Sequence, residues 1–270
     1  MAIVALHSAS TGLSALSTGL DVIANNLANS NTEGFKASRV NFQDLLYIEK
    51  EQPGAENVNG DQRPTGLYVG LGTKASGTQL DFRQGPAQQT GRDLDILIDG
   101  DGFFQVQVED ELGEGGIAYT RAGNFTLNAE GEIVLATDQG RRLIPNVQVP
   151  PEATSISILA DGTIYAGING QSDLEDLGTI EIATFVNPVG LKQVGENLYV
   201  QTAASGEPAV GDPIDGGRGA VRQGFLEGSN VDPVIELVNL IRTQRAFEMN
   251  SQSIQAADEA LQTIGRLRRF

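Results

Sequence analysis

From Pro233 to Leu267 the chain holds one glycine, Gly265, and no second proline, and its apolar residues keep a fixed period. Leu240, Phe247, Ile254 and Leu261 fall seven apart, flanked by Leu237, Ala257 and Ile264. Asp232 followed by Pro233 reads as an N-cap and first helical residue. At 1.5 Å per residue the segment predicts a rod of about 50 Å. A periodic pattern of that length points to a coiled coil or a helical assembly more than to a compact domain. Arg266, Arg268 and Arg269 suit the negative end of the helix dipole, which explains them without a binding role.

The other end of the chain mirrors this pattern. Leu6, Ala9, Leu13, Leu16, Leu20, Ile23 and Leu27 alternate spacings of three and four, a heptad seam held for three repeats. Gly12 and Gly19 lie seven apart on one stripe, where another helix can approach closely. Between Ile3 and Asn31 the only charge is Asp21, and the stretch VIANNLANSNTEGFK (22–36) carries amides and hydroxyls where a solvated helix carries Lys and Glu. Such a face suits burial against identical neighbours, with amides hydrogen-bonding across the contact. The helix is expected to end between Asn31 and Gly34, with Gly34 left-handed past its end, and the Gly34-Phe35 pair to turn the chain outward.

The middle reads as β. Short apolar or alternating runs at 94–98, 103–108, 124–127, 132–135, 156–159 and 180–185 are separated by turn signals at Asp99-Gly100-Asp101-Gly102, Asn128-Ala129-Glu130-Gly131 and Asp161-Gly162. Their close spacing predicts an antiparallel domain. Residues 49–77 are polar and rich in Gly and Pro, as in an extended arm; composition alone also fits disorder. The fold class is therefore α+β.

Charge and composition exclude several functions. The 270 residues carry 35 acids against 18 Lys and Arg, a net −17. Residues 1–36 hold Asp21 and Glu33 against Lys36, residues 228–270 hold five acids and five Arg, and the middle keeps a net −16. Nucleic acid needs clustered Lys and Arg, so it is not an expected partner. No apolar run approaches the ~20 residues that span a bilayer, and the N-terminus lacks the basic region of a cleaved secretory signal. With no Cys and one His, His7, there are no disulfides, thiolate zinc sites or cysteine nucleophiles. DGDG (99–102) lacks the rest of a calcium loop and reads as turn chemistry. Gly70-Leu71-Gly72 lacks the third glycine of a nucleotide fingerprint. No catalytic, cofactor or metal residues are assigned.

The quoted N-terminal stretch resembles the signature of bacterial flagellar axial proteins, the rod and hook subunits. DLDILIDGDGFFQV, YTRAGNFTLNAEGEIV and GENLYV are similar to their shared central segment, and QGFLEGSNVDPVIELVNLIRTQRAFEMNSQSI to their C-terminal helix. Within the family, DLLYIEKEQPGAENVNGDQRPTGLYVGLGT (44–73) resembles the insert of distal-rod members. The EDELGEGG stretch (109–116) and the longer GRLRRF tail depart from the family pattern.

The resemblance implies N- and C-terminal helices paired in the inner tube of a helical assembly, an overlying arm and a β domain outside. It divides the chain into an N-terminal assembly helix (1–36), an extended arm with the distal-rod insert (37–90), a central β domain (91–227) and a C-terminal assembly helix (228–270). It implies a non-enzymatic structural subunit, exported through the flagellar type III apparatus without a cleaved signal. Its partners would be copies of itself, proximal-rod and hook-side axial proteins, and the outer rings of the basal body. The motifs carry over Asn25, Asn26, Asn29, Gly34 and Phe35 at the first helix end, and Asn230, Leu237, Asn239, Gln244, Arg245, Ala246 and Asn250 at the second. With the seam residues Leu6, Leu13, Leu16, Leu20, Ile23, Leu27, Leu240, Phe247, Ile254 and Leu261 these form the expected subunit interface. The alternatives are a proximal-rod subunit, an adhesin-like binding module with a helical stalk, and a wall hydrolase using a carboxylate pair.

Overall fold

A computed structural model of the chain describes residues 2–54, 62–168 and 174–267. The fold is α+β, with a helix at each end and an antiparallel β-rich region between them. Two units emerge, one built from 1–28, 38–80 and 232–270, the other from 29–37 and 81–231. Arg268, Arg269 and residues 55–61 of the expected arm lie outside the described residues.

The first unit contains α1 (Ala2–Ala28) and α2 (Pro233–Leu267). Asp232 caps α2 as expected, its Oδ1 accepting the Val234 N–H at 2.9 Å and the Ile235 N–H at 3.2 Å. The two helices run antiparallel, because Gly12 faces Asn250, Gly19 faces Thr243, and the Asn26 amide reaches Glu236. These steps of seven on both helices are the two sequence periods in register. The region read as an arm is two antiparallel ribbons, Ser38–Asp44 with Thr73–Leu80 and Tyr47–Glu51 with Leu67–Gly70. Their strands are mostly exposed on both faces, so no apolar alternation marked them.

α1 stops at Ala28, short of the expected Asn31–Gly34. The amides that looked like continued helix close successive turns instead, with the Thr32 N–H on the Asn29 carbonyl and the Phe35 N–H on that of Thr32. Gly34 is left-handed, at φ 68°, inside this turn and not at the helix end.

In the second unit, strands at Lys192–Gly195, Leu198–Val200, Ile117–Thr120, Phe103–Gln107, Ile182–Thr184 and Ala209–Gly211 follow one another across an antiparallel sheet. Leu143–Ile144 adds to Phe103–Gln107 as the seventh. A three-stranded sheet (Ala153–Ile158, Thr163–Ile168, Glu175–Thr179) and short ribbons complete the unit. All six runs anticipated from the sequence contain strand. Ile96, Ile98, Phe104, Val106, Phe125, Ile133, Leu135, Leu143, Ile164 and Ile182 form one core, with Phe104 edge-on to Phe125 at 5.2 Å. The turns form where the sequence placed them. The Asn128 carboxamide oxygen accepts the N–H groups of Glu130 and Glu132, and Gly131 and Gly162 are left-handed.

Candidate assembly surface

Within the first unit the tightest burial belongs to small and polar residues of α1. Gly12, Ala15, Gly19 and Asn26, spaced three, four and seven apart, are its fully buried positions among residues 4–28. A Cβ at Gly12 would sit 3.4 Å from the Asn250 amide, and one at Gly19 3.5 Å from the Phe42 ring. The glycines therefore admit α2 and the first ribbon, the close approach that their spacing suggested. The leucine seam lies beside this stripe: Leu6, Leu13, Leu16, Leu20, Ile23 and Leu27 are half-buried. On α2, Leu240, Phe247, Asn250 and Ile254 are half-buried, while Leu237, Gln244, Arg245 and Leu261 are exposed.

α2 also presents apolar side chains away from α1. Val234 (69% exposed), Leu237, Val238, Ile241 and Met249 (62%) follow one another at helical spacing on its open side. Tyr47, Ile48, Leu67 and Tyr68 on the second ribbon, and Leu46 just before it, are likewise exposed. Among the described residues, thirteen of the twenty exposed large hydrophobics lie in this unit, and of its own hydrophobics only Ala15 and Leu80 are fully buried. A helix pair with apolar residues on outer as well as inner faces has not completed its core.

Asn26 closes the unit at one end. Its Nδ2 donates to the Ser38 carbonyl (2.7 Å) and to Glu236 Oε1 (3.4 Å), and its Oδ1 accepts the Ser38 N–H at 2.9 Å. The amide thus behaves as a peptide group, gripping the start of the first ribbon and the first turn of α2. Asn25 is exposed and Asn29 half-buried.

In the second unit the segment 29–37 is threaded into the β structure. The Gly34 N–H donates to the Glu227 carbonyl at 2.8 Å, and a Cβ on Gly34 would lie 2.7 Å from the Ala122 nitrogen. Only glycine meets both the left-handed backbone and this approach. Half-buried Phe35 accepts the Asn230 N–H on its carbonyl. Asn230 ties its own segment to two others, accepting the Ala37 N–H (2.7 Å) and donating to the carbonyls of Asp81 (2.7 Å) and Arg83 (3.0 Å).

Beneath this segment lies a charge cluster that sequence reasoning missed. Lys36 is wholly buried, its Nζ 2.6 Å from Glu227 Oε1 and 2.9 Å from the Arg83 carbonyl. Arg121, also buried, reaches Glu227 Oε2 at 3.5 Å and the Gly100 carbonyl at 2.8 Å. Burial drives the Lys36 ammonium below its ordinary pKa, opposed by Glu227. The one signal in the sequence was Lys36 itself, the single cation in residues 1–36. Nothing in the chain order tied it to Glu227.

The first unit thus lacks a finished core, whereas the β unit is well packed. Three family models match in the corresponding order: Flagella basal body rod protein over 6–36, Flagellar hook protein FlgE/F/G D1 domain over 97–166, and Flagellar basal body rod FlgEFG protein C-terminal over 222–267. They define the class as flagellar rod and hook proteins. The chain belongs to the flagellar basal-body rod protein family. It is 44% identical to flagellar basal-body rod protein FlgG of Agrobacterium fabrum over 263 residues, 97% of this chain and 98% of the relative. The FlgG of Caulobacter vibrioides is 41% identical, covering 98% of this chain and 99% of its own length. The FlgF of the same organism falls to 31%, over 92% of each.

Proposed function

We propose that this chain is a structural, non-enzymatic subunit of the distal flagellar rod. It polymerises with copies of itself into a rigid helical tube that transmits torque and leaves a channel for export. The observation that carries this reading is the outward apolar stripe of α2 in a unit with almost no closed core, which needs neighbouring copies to be buried. The higher identity to FlgG than to FlgF within one organism supports a FlgG-type position. The seam residues of α1 with Asn25 and Asn29, and Leu237, Leu240, Gln244, Arg245, Phe247, Asn250, Ile254 and Leu261, form the inter-subunit contacts, where the helices pack as a coiled coil, and Asn26 supports that interface from inside the unit. Gly34, Phe35 and Asn230 serve that interface by fixing the turn that follows α1. The four-part division at 36, 90 and 227 describes the subunit's layers in the tube. Proximal-rod and hook-side axial proteins meet its ends, outer rings surround it, and the type III apparatus delivers it to the periplasm-spanning rod without cleavage.

Electron microscopy of basal bodies from a strain lacking the chain tests this. A short rod without outer rings or hook, restored by the wild-type chain, is the expected result. Complete hook–basal bodies would overturn the proposal.

A further inference from the structure

We propose that Arg218 masks a strand-docking edge, keeping the β unit from pairing laterally with a second copy of this chain. The strand Ala209–Gly211 ends the seven-stranded sheet, paired on one side with Ile182–Thr184 and with no strand on the other among the described residues. An open edge offers unpaired backbone groups to any extended segment. Val210 at its centre is exposed, as are the neighbouring Val186 and Ile214, so this edge is also apolar.

The guanidinium of Arg218 lies on it. Nη2 donates to the Val210 carbonyl at 3.0 Å, Nε to the Ala209 carbonyl at 3.4 Å, and Nη1 to the Asp215 carbonyl at 3.0 Å. Of the seven arginines in this unit, the other six (Arg83, Arg92, Arg121, Arg141, Arg142 and Arg222) reach carboxylates. Among the described residues Arg218 differs in pairing with no carboxylate and spending its donors on carbonyls, although Asp212 and Asp215 are close in sequence. Two features of the chain serve this placement. A Cβ on Gly211 would lie 2.8 Å from the guanidinium carbon, so glycine opens the slot in which the group sits. Ile214 holds φ 70°, an uncommon conformation for a β-branched residue, in the loop that brings Arg218 back to the strand.

The inference stands apart from the proposed function, and its test is read on dilute full-length chain, where rod assembly plays no part. The sequence has no cysteine, so Val210→Cys reports on this contact alone. Antiparallel pairing of two edges centred on residue 210 brings the two thiols opposite one another, at about 5 Å between Cβ atoms. Under mild oxidation, Arg218→Ala/Val210→Cys should form disulfide dimer at least five-fold faster than Val210→Cys alone, with unchanged circular dichroism. Arg222→Ala/Val210→Cys removes an equal charge from an exposed arginine and should match Val210→Cys. Gly211→Val/Val210→Cys keeps the arginine but expels it from its slot, and should cross-link like the Arg218→Ala pair. Equal rates in the Arg218 and parent chains, or acceleration by the Arg222 change as well, would overturn the proposal. If Arg218→Ala unfolds the chain, the Gly211 variant decides by the same rate comparison.

Discussion

Replacing Glu227 by Gln removes one charge from the centre of the buried cluster while keeping its shape. Glu227 Oε1 now accepts from Lys36 Nζ at 2.6 Å and from the Gly85 N–H at 2.8 Å, and Arg121 approaches Oε2. The variant keeps an amide oxygen for these donors but leaves two buried cations, Lys36 at 0% and Arg121 at 4% exposure, without a counter-charge. Breaking a buried pair in this way costs about 3–5 kcal/mol, and the retained acceptor places the variant near 3. The pH dependence carries the sharper signature. Burial lowers the Lys36 pKa in the folded chain, so between that value and the ordinary lysine value the unfolded chain binds more protons and stability rises with pH. Losing Glu227, which raises the Lys36 value, widens this window toward neutrality, and the variant should regain stability on alkalinisation more steeply than the parent. Urea unfolding followed by tyrosine fluorescence reports on the β unit, since Tyr119 and Tyr199 are buried there. Adding Lys36→Met should recover more than about 1 kcal/mol over additivity. A single variant within 1 kcal/mol of the parent, with parallel pH profiles, would refute the reasoning.

Other positions give equally definite outcomes. Gly34→Ala combines a left-handed backbone with a clash against Ala122, and should cost about 2 kcal/mol or more, read as a lower Tm. Asn26→Asp loses the donor to the Ser38 carbonyl and sets a second carboxylate beside Glu236, a loss of about 1–3 kcal/mol in helix-pair stability, read by chemical denaturation of assembled rods. Gly19→Ala meets only ordinary contact with Phe42 and should support motility, whereas Gly19→Leu should abolish it by forcing α1 off α2. Hydrogen bonds from Asn128 and Asn146 hold the Glu132 carboxyl below its usual range, and the Thr163 N–H does the same for Asp161. Their stabilisation is present above the ordinary carboxylate pKa and lost as pH falls through the depressed values, so Asn146→Ala should move the acid-unfolding midpoint upward.

What the sequence made legible were features with a local cause. Asp232-Pro233 set the start of α2, and the Gly-containing turns divided the β runs, because capping and turn chemistry act within a few residues. The two heptads correctly marked both helices and their mutual approach at Gly12 and Gly19. They did not reveal that the deepest stripe of α1 is Gly12, Ala15, Gly19 and Asn26, because hydrophobicity ranks leucine above glycine whereas close helix approach ranks them the other way. The end of α1 was misplaced because amides that continue a helix also close turns. The Lys36–Glu227–Arg121 cluster was out of reach, since its members meet across 191 and 106 residues of chain.

The central claim is that α1 and α2 complete their core only among neighbouring copies. Hydrogen exchange read by mass spectrometry on dilute chain and on assembled rods tests it directly. The account predicts that amides of 2–28 and 233–267 exchange at least 100-fold more slowly in the rod, while strands of the β unit are protected alike in both. Equal protection of the two helices in the dilute chain and the rod would contradict it.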